Sequence, residues 1–560
     1  MSTLASWPGL RRRALLLAAL LLPAAGGMAN ALPTFAEVQR ASRPSEAMLH
    51  DRHGEEIHQL RLNLQERRLP WVRLDDVSPA LRTALILSED QRFYRHSGVD
   101  WNAVAAAAWS NLWNTRTRGA STLTMQLAGL LDEDLRRRAA PRSITQKLTQ
   151  AVVAQQLEHS WRKDQILEAY LNLVGFRGEL VGVHALSRVL FHKHPSGLNR
   201  REAAIAVALL RAPNAHPAKV AERACTILKE QQAAAECNGI AGITELTLAR
   251  LSSRADLGGS IPSPQLAPHL AQRLLKAPNQ PVRSTIDAAT QRFARDAVRR
   301  QLAALVERNI EDSAVLVLDN ASGDVLAWVG SSGDFSDARH VDGVLALRQA
   351  GSTLKPFLYQ LALEQKWLTA ASLLDDAPLN LTTAAGLYIP QNYDRRYQGL
   401  VSLRTALGSS LNIPAVRVLV TVTPERLFQR LQALGFGLRE SGDYYGYSLA
   451  LGSADVSLLA LTNAYRALAN QGRASPVRTS LGDAVVKPRQ VMDPAAAFII
   501  SDILADRSAR AVTFGLENAL AGRVPAAVKT GTSKDMRDNW CIGYSERYTV
   551  GVWVGNASGA

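Results

Sequence analysis

Cysteine is scarce in this chain, and so are aromatic residues. Three cysteines occur in 560 residues, and Phe, Trp and Tyr make up 6%. The cysteine spacing fits neither a zinc motif nor a dense disulfide framework, which excludes a small disulfide-stabilised scaffold. Cys225 and Cys237 can pair in an oxidising compartment, but on one straight helix they would lie too far apart to bridge, so both alternatives stay open. Cys541 is expected to be a buried strand residue.

Negative charge is also in short supply. The chain has 64 Lys and Arg against 50 Asp and Glu, a net charge of +14. This surplus favours an anionic partner: nucleic acid, a phospholipid surface or a substrate with phosphates. No nucleic-acid-binding motif is visible, so we expect no nucleic-acid partner. Hydrophobic residues at 47% indicate a folded protein, and the length predicts two or three domains.

One long apolar run, residues 14–32, follows three arginines at 11–13. A basic flank before an apolar segment is typical of an exported N-terminus. The run is long enough to span a bilayer once, although a proline and two glycines weaken its helix. Residues 29–31 have the small-x-small pattern of a signal-peptidase site, so the residues leave cleavage open. In either case we expect the rest of the chain outside the cytoplasm.

Periodicity divides the rest of the chain. Residues 47–73 have strand-like stretches, and 78–190 are largely helical, with an apolar face from Trp101 to Trp113 that we expect to pack in a core or to touch a membrane interface. Residues 256–284 are rich in Gly, Pro and Ser and predict a linker. A hairpin at 313–330, helices around Ser352 and at 457–469, and strands at 524–528 and 548–554 predict an α+β domain.

Three motifs in the second half carry a nucleophilic chemistry. They are Ser-Thr-Leu-Lys at 352–355, Ser-Leu-Asn at 410–412 and Lys-Thr-Gly-Thr at 529–532. A lysine three residues after a serine shares its helix face, so the amine can accept the hydroxyl proton when the serine attacks a carbonyl. Each motif alone also fits a helix cap, a turn or a strand end. Their joint occurrence in this order favours a catalytic serine.

The first half has an independent set of motifs. Residues 89–98 read Glu-Asp-Gln-Arg-Phe-Tyr-Arg-His-Ser-Gly, 119–127 read Gly-Ala-Ser-Thr-Leu-Thr-Met-Gln-Leu, and 162–172 read Arg-Lys-Asp-Gln-Ile-Leu-Glu-Ala-Tyr-Leu-Asn. A lone glutamate beginning a helix is usually a solvated charge that the helix dipole favours. Thr122 and Gln126 lie four residues apart and can line one pocket, with a cap role for Thr122 as the alternative.

These motifs resemble those of the family 51 peptidoglycan glycosyltransferases. The serine motifs downstream occur together in penicillin-binding proteins and serine β-lactamases. From about Pro33 to its end the chain therefore resembles a class A penicillin-binding protein, and Thr-Met-Gln at 124–126 is similar to the 1C branch of that family. The resemblance implies a multidomain α+β fold with a mainly helical, lysozyme-like glycosyltransferase domain and an α/β penicillin-binding transpeptidase domain.

The resemblance also implies the domain order. Residues 1–36 would hold a cytoplasmic stub and a transmembrane or signal-anchor segment, 37–255 the glycosyltransferase domain, 256–284 a linker and 285–560 the transpeptidase domain. Related transpeptidase domains continue with further sheet and a closing helix after the point where this chain stops. We therefore expect the second domain to be incomplete at its C-terminus.

In the glycosyltransferase domain, the resemblance assigns Glu89 as the base that deprotonates an acceptor sugar 4-hydroxyl. Such a reaction also needs cations for the departing diphosphate, and Arg136 to Arg138, Arg142 and Lys147 are candidates. The residues expected to bind substrate are Asp90, Phe93, His96, Thr122, Gln126, Lys147 and Gln150.

Two positions depart from most relatives. Gln150 stands where a second acidic residue is usual, and Gly129 stands where a basic residue is usual. An amide does not bind a divalent cation as a carboxylate does, so metal assistance is doubtful. We expect no firmly bound cofactor and leave a divalent metal open for glycosyl transfer.

In the transpeptidase domain, the resemblance assigns Ser352 as the nucleophile towards the amide between two terminal D-alanines. Lys355 would be its base, and Ser410 would relay a proton to the departing amine. The acyl group would then pass to an amine on a neighbouring strand. The Ser352 and Thr532 backbone amides would form the oxyanion hole. The residues expected to bind substrate are Asn412, Lys529, Thr530 and Thr532.

The leading interpretation is a single-pass inner-membrane protein that polymerises lipid II and cross-links the stem peptides in the periplasm. Its expected partners are lipid II, nascent glycan strands, β-lactams as covalent inhibitors, the membrane and other cell-wall synthesis proteins. The alternatives are a carboxypeptidase or β-lactamase with an inert first domain, a glycosyltransferase whose second domain binds penicillin but cross-links poorly, and a scaffold that only binds lipid II.

Overall fold

The computed structural model describes residues 32–102, 121–132, 144–255, 265–278, 281–383 and 386–560. The expected N-terminal anchor, most of the apolar face between Trp101 and Trp113, and Arg136 to Arg138 with Arg142 lie outside these residues. So does the side chain of Lys147, whose backbone is helical. Within the described residues, no helix combines the length and apolarity that a membrane span requires.

The described helices are, in chain order, α1 (Phe35–Ala41), α2 (Pro79–Glu89), α3 (Leu123–Leu131), α4 (Ile144–Ser160), α5 (Lys163–Leu173), α6 (Val183–Leu186), α7 (Arg200–Arg211), α8 (Pro217–Glu230), α9 (Ile240–Ala255), α10 (Pro268–Leu274), α11 (Ala288–Ala303), α12 (Lys355–Glu364), α13 (Leu403–Gly408), α14 (Asn412–Val422), α15 (Pro424–Ala433), α16 (Gly442–Tyr445), α17 (Leu458–Ala469), α18 (Pro494–Ala505) and α19 (Ala511–Phe514).

The described strands are β1 (Glu46–His50), β2 (Glu56–Arg61), β3 (Arg67–Arg68), β4 (Leu180–Val181), β5 (Val282–Arg283), β6 (Asp312–Asp319), β7 (Val325–Val329), β8 (Arg348–Gln349), β9 (Leu373–Asp376), β10 (Leu381–Thr383), β11 (Gly386–Tyr388), β12 (Gly399–Ser402), β13 (Asp455–Val456), β14 (Arg473–Ala474), β15 (Arg489–Gln490), β16 (Ala527–Thr532), β17 (Asp538–Tyr544) and β18 (Tyr548–Gly555).

The chain forms two compact units. The first comprises residues 1–46 and 61–262, and the second comprises 47–60 and 263–560. Residues 47–60 lie in the range that we expected for the first domain, yet they belong to the second unit by their contacts. There, β1 lies between β2 and β5 in a three-stranded sheet, and it pairs in parallel with β5.

The first unit is mainly helical and is built around α7. This helix is capped by Asn199, whose side chain accepts a hydrogen bond from the Glu202 amide, and its residues 203–209 are all buried. Alternating small and branched side chains, Ala-Ala-Ile-Ala-Val-Ala-Leu, allow neighbouring helices to approach α7 closely. The same core takes in apolar residues of α2, α3, α5 and α8. This packing holds the C-terminal end of α2, where the first candidate site lies.

The second unit is organised by a five-stranded antiparallel sheet in the order β16-β17-β18-β6-β7. The hairpin predicted at 313–330 is confirmed as β6 and β7, and the strand predicted at 548–554 as β18. Helix α17 begins after Ser457, whose hydroxyl accepts a hydrogen bond from the Ala460 amide, so the helix predicted at 457–469 is confirmed as well. Strand β16 begins only at Ala527, three residues later than predicted.

The interval 256–284 is not simply a loop. In its described part, α10 begins with Pro268 in the first turn, where a missing amide hydrogen is harmless, and β5 pairs with β1. Our linker interpretation rested on Gly, Pro and Ser content. It did not allow for a proline that starts a helix.

Candidate active sites

Glu89 is the last residue of α2, not the first residue of a helix as we expected. A carboxylate at a helix C-terminus is disfavoured by the helix dipole, so other groups must stabilise it. Arg211 Nε lies 2.8 Å from Glu89 Oε1, and Gln126 Nε2 donates to Oε2 at 3.2 Å. Arg211 also donates to the Ser88 carbonyl. The Glu89 side chain is 10% exposed, whereas that of Arg211 is 56% exposed.

Gln126 is fixed from both ends of its amide. Its Nε2 donates to Glu89, and its Oε1 accepts a hydrogen bond from the Tyr170 hydroxyl at 2.8 Å. Tyr170 is fully buried, and this burial, followed by the charge of Glu89, raises the pKa of its hydroxyl well above the usual value. The hydroxyl therefore remains a donor, and it orients Gln126 so that the amide nitrogen faces Glu89.

Asp90 and His96 form a buried pair that ties two motifs together. His96 Nε2 lies 3.0 Å from both carboxylate oxygens of Asp90, and the Leu123 amide donates to Asp90 Oδ2 at 3.0 Å. Residues Phe93–Arg95 form one 3-10 turn, so no α-helix continues from Glu89 to His96. Asp90 accepts hydrogen bonds in place of a continuing helix, and these bonds turn the chain.

Thr122 is a helix cap in this structure. Its hydroxyl accepts a hydrogen bond from the Met125 amide at 3.1 Å and donates to the Gly98 carbonyl at 2.5 Å, and the residue is 3% exposed. Both hydrogen-bonding roles of the hydroxyl are thus filled by the protein. The expectation that Thr122 lines a pocket together with Gln126 is not met by this arrangement.

Phe93 packs against a part-buried charge cluster. Lys163 Nζ is 4.5 Å from the centre of the Phe93 ring, a cation–π contact, and it forms a 2.6 Å ion pair with Glu158 Oε1. Thr124 donates to the same oxygen at 2.6 Å. This cluster joins α3, α4 and α5, and Phe93 packs against its lysine.

Gln150 is buried at 2% exposure on α4, and among the described residues its Nε2 has no hydrogen-bond partner. Gly129 is buried inside α3. In the described ranges, no group of three or more His, Cys, Asp or Glu side chains has an arrangement that could hold a metal ion. Within the described part of the chain, the side chains that contact the Glu89 carboxylate are those of Arg211, Gln126 and Ser88.

The motif at residues 162–172 anchors the chain segment that precedes α2. Glu168 accepts hydrogen bonds from Trp71 Nε1 at 2.7 Å and from the Leu74 amide at 2.8 Å. Asn172 bonds both the amide and the carbonyl of Val72. These two side chains anchor the segment before α2 to α5, which leaves Tyr170 on the same helix directed at Gln126.

In the second unit, Ser352 lies on a 3-10 turn, Gly351–Leu354, that runs directly into α12. Two glycines permit this turn to lie against other backbone. At Gly351 φ is +56°, and a Cβ there would lie 2.6 Å from the Thr532 carbonyl oxygen; a Cβ at Gly452, where φ is +77°, would lie 1.9 Å from the Gly351 oxygen. Glycine is therefore required at both positions, and β16 comes within contact of the serine turn.

Lys355 is fully buried behind Ser352. Its Nζ donates to the carbonyls of Ser410 at 2.7 Å and Leu411 at 3.1 Å, and to Asn412 Oδ1 at 2.6 Å. Burial, followed by the positive charge of Lys529, lowers the pKa of Lys355 well below the usual value for lysine, and Asp376 opposes this shift. A lysine with a lowered pKa can serve as a base near neutral pH.

Ser410 connects the two lysines. Its carbonyl receives Lys355, and its hydroxyl oxygen accepts a hydrogen bond from Lys529 Nζ at 2.8 Å. Burial lowers the pKa of Lys529 to about 7. Ser410 itself has a φ of +61°, the left-handed region, which a serine adopts only at a cost. This conformation directs its carbonyl and its hydroxyl towards different lysines.

Five of the predicted site residues line one cavity of about 940 Å³. Ser352, Ser410, Asn412, Thr530 and Thr532 all line it. Thr530 and Thr532 are on β16, and Asn412 begins α14. Two rim residues from different loops also touch, because the Tyr393 hydroxyl lies 3.8 Å from Met536 Sδ. The three motifs that are widely separated in sequence thus meet at one opening.

Comparison with known families decides the relationship. The transglycosylase family model matches residues 53–232, and the penicillin-binding protein transpeptidase domain model matches residues 313–558. Penicillin-binding protein 1C of Escherichia coli K12 is 36% identical over 87% of this chain. The chain belongs to the class A penicillin-binding proteins. It spans 62% of the length of the E. coli protein.

A second curated relative and a solved structure are also similar to this chain. Penicillin-binding protein 2D of Bacillus subtilis is 28% identical over 91% of this chain and 77% of its own length. The 2.6 Å crystal structure of penicillin-binding protein 1A from Haemophilus influenzae has a TM-score of 0.58 at 19% identity, covering 92% of this chain and 88% of that one. This likeness supports the multidomain α+β fold.

Sequence reasoning missed several residues at the two sites of this class A penicillin-binding protein. Arg211 contacts Glu89 from 122 residues away in sequence, and no local pattern marks it. Tyr170 lies inside a quoted motif, so its position was visible although its role was not. Asp376 and Asn392 lie behind Asn412 and had no signal beyond their polarity.

The expected disulfide alternatives are also resolved. Cys225 lies on α8 and Cys237 on a following 3-10 turn, and their sulfur atoms are bonded. The chain reverses direction between them, so the straight helix that would have kept them apart is not formed. Cys541 is a free residue of β17, so the expected strand position is confirmed, but it is half-buried where we expected a buried residue. Burial raises the pKa of its thiol.

Proposed function

We propose that this protein is a bifunctional peptidoglycan synthase that polymerises lipid II through its first unit and cross-links stem peptides through its second. The observation that carries the proposal is that Ser352 and Ser410 line one cavity and that Lys355 and Lys529, from two of the three motifs, both donate hydrogen bonds to Ser410. The independent arrangement around Glu89 supports the polymerising activity of the first unit.

For glycosyl transfer, Glu89 is the proposed base. It is nearly buried but keeps an exposed partner, Arg211, which solvent or substrate can reach. The carboxylate would take the proton from the acceptor 4-hydroxyl as that oxygen attacks the anomeric carbon of the donor. The bond from this carbon to the diphosphate breaks at the same time, which inverts an α-linked donor to a β-1,4 product. Gln126, held by Tyr170, keeps Glu89 in position.

For cross-linking, Ser352 Oγ would attack the carbonyl between the two terminal D-alanines. Its proton passes to the neutral amine of Lys355, and Ser410 carries a proton to the nitrogen of the departing D-alanine as the carbon–nitrogen bond breaks. The Lys529 ammonium, with Thr530 and Thr532 beside it, would bind the substrate carboxylate. An amine from a second strand then attacks the acyl-enzyme and releases Ser352. Asn412 would hold a substrate amide.

The proposed location is the periplasmic face of the inner membrane, through a single N-terminal segment. The Cys225–Cys237 disulfide supports an oxidising compartment, and the net charge of +14 suits a phosphate-bearing lipid substrate and an anionic surface. Partners would be lipid II, growing glycan strands, β-lactams and other cell-wall synthesis proteins. Residues 256–284 would still separate the two catalytic activities along the chain.

The test is incubation of the detergent-solubilised protein with lipid II, with products separated before and after muramidase digestion. We expect polymer in the wild type and in Ser352→Ala, and cross-linked muropeptides in the wild type alone. Glu89→Gln, an almost isosteric change, should lose polymer but keep fluorescent penicillin labelling. Polymer without any cross-link or penicillin labelling in the wild type would leave only a glycosyltransferase. Binding of lipid II without polymer would indicate a scaffold.

A further inference from the structure

A carboxylate that no motif includes lies directly behind the transpeptidase site. Asp376, the last residue of β9, has no exposed surface. Its neighbour Asp375 has a half-exposed side chain and pairs with Arg417 at 3.1 Å. Burying a carboxylate is costly unless hydrogen bonds and opposite charges compensate for the lost water. The groups that hydrogen-bond to Asp376 therefore indicate the role of its buried charge.

The partners of Asp376 are polar groups of one loop. Asn392 Nδ2 donates to its two oxygens at 2.8 and 2.9 Å, and the Gln398 amide donates to Oδ2 at 2.9 Å. A carboxylate accepts only, so it fixes Asn392 with the nitrogen facing inward and the carbonyl oxygen facing outward. Asn392 is itself 5% exposed, so this orientation is locked by burial as well.

The outward oxygen of Asn392 holds the start of α14. It accepts hydrogen bonds from the Asn412 amide at 2.8 Å and from the Ile413 amide at 3.4 Å. The residue before this helix, Leu411, has no side chain that could cap it. Asn392 thus supplies a cap from another part of the chain, and it fixes the segment that carries the Ser-Leu-Asn motif.

That segment provides all three acceptors of Lys355. The Ser410 and Leu411 carbonyls and Asn412 Oδ1 surround its Nζ. An ammonium has three N–H donors, so this cage fits the protonated form, whereas proton transfer from Ser352 needs the neutral amine. The charged groups that act on Lys355 are Lys529 on β16 and Asp376 on β9. Burial, followed by the charge of Asp376, also raises the pKa of the Tyr359 hydroxyl on α12.

We propose that Asp376 is a positioning residue for acylation at Ser352: through Asn392 it fixes the segment that supplies the acceptor cage of Lys355. This inference rests on the proposed transpeptidase function. Asp376 touches neither substrate nor Ser352, and it acts through Asn392 and through its charge. The opposing effects of Lys529 and Asp376 on the pKa of Lys355 agree with this geometry.

The experiment measures the rate of acylation by a fluorescent penicillin between pH 4 and 10 in the full-length protein. In Asp376→Asn the charge is lost, so the pKa of Lys355 falls and the acidic limb should move about one pH unit lower. The plateau rate should fall about tenfold or more, because the cage loosens. Asp376→Glu keeps the charge, so its acidic limb should stay at the wild-type pH.

Two further variants separate charge from position. Asn392→Ala keeps the carboxylate but removes the link to α14, so we expect a lower plateau with the acidic limb unmoved. Asp375→Asn removes the neighbouring exposed carboxylate and is the matched control, expected to match the wild type in both respects.

The outcomes are distinguishable. Wild-type protein that penicillin does not label would refute the proposed transpeptidase function, and the inference with it. Labelled wild type together with a wild-type profile for Asp376→Asn would overturn the inference alone. So would an equal shift in Asp375→Asn, which would indicate a general surface-charge effect. If Asp376→Asn does not fold, Asn392→Ala decides: a wild-type plateau in that variant overturns the positioning role.

Discussion

Replacing Ser410 with glycine and with alanine should separate its chemical role from its conformational cost. Its φ of +61° lies in the left-handed region, which costs a residue with a Cβ roughly 1–2 kcal/mol. Glycine removes that cost, but it lowers the free energy of unfolding by roughly 0.5–1 kcal/mol because the unfolded chain has greater freedom. Both variants lose the 2.8 Å contact with Lys529, a bond to a charged group worth roughly 1.5–3 kcal/mol.

We therefore expect both variants to be less stable than the wild type, with Ser410→Gly about 0.5–1 kcal/mol more stable than Ser410→Ala. Acylation by penicillin should fall about 10²-fold or more in both, because neither has a hydroxyl to relay the proton. Stability is measured as the midpoint of denaturant-induced unfolding, taking the transition that shifts when penicillin is bound and that therefore reports on the second unit. The rate of fluorescent penicillin labelling is measured on the same samples.

A matched control exists at Lys366, an exposed residue just after α12 with a φ of +58°. Lys366→Gly should also be more stable than Lys366→Ala, while both label at the wild-type rate. Ser410→Gly that is no more stable than Ser410→Ala would refute the strain. Labelling of both Ser410 variants within about threefold of the wild type would refute the relay, since general acid–base groups normally contribute far more.

Three further predictions concern other residues. Tyr170→Phe leaves Gln126 Oε1 without its donor, so lipid II polymerisation should fall about tenfold, with penicillin labelling unchanged as the control. Because the Lys529 ammonium is lost as pH rises through about 7, the KM for a substrate with a terminal carboxylate should rise above that pH, and the KM for its methyl ester should not. Gln150 offers an amide, so polymerisation should survive excess chelator; activity that appears only in Gln150→Glu with magnesium would contradict this.

Much of the second unit was readable from sequence, because its elements are locally encoded. The strand predicted at 548–554 is present as β18, and the helix predicted at 457–469 is present as α17. The three serine-site motifs meet at one cavity as the resemblance implied, since each motif sits at an element boundary that packing brings together.

What sequence could not provide was the contact between distant groups. The helix that we expected to begin at Glu89 ends there, because Asp90 bonds the Leu123 amide and His96 instead of continuing the helix. Arg211 bonds Glu89, which is 122 residues away, and Asn392 bonds the amide of Asn412, which is 20 residues away. The sequence around Arg211 and around Asn392 is like that of an ordinary polar surface residue. Burial alone makes Asp376 different from Asp375, and burial is a property of the fold.

The division of the second unit into residues 47–60 and 263–560 has a consequence for how the protein is made. The hydroxyl of Ser284 bonds the carbonyl of His50, 234 residues earlier. At roughly 5–20 residues per second, ribosomes need roughly 10–50 seconds to supply the partner of β1. Residues 61–262, most of the first unit, are synthesised in that interval. A gene fragment that begins at residue 263 would therefore encode β5 without its parallel partner β1, and the order of synthesis would be lost with it.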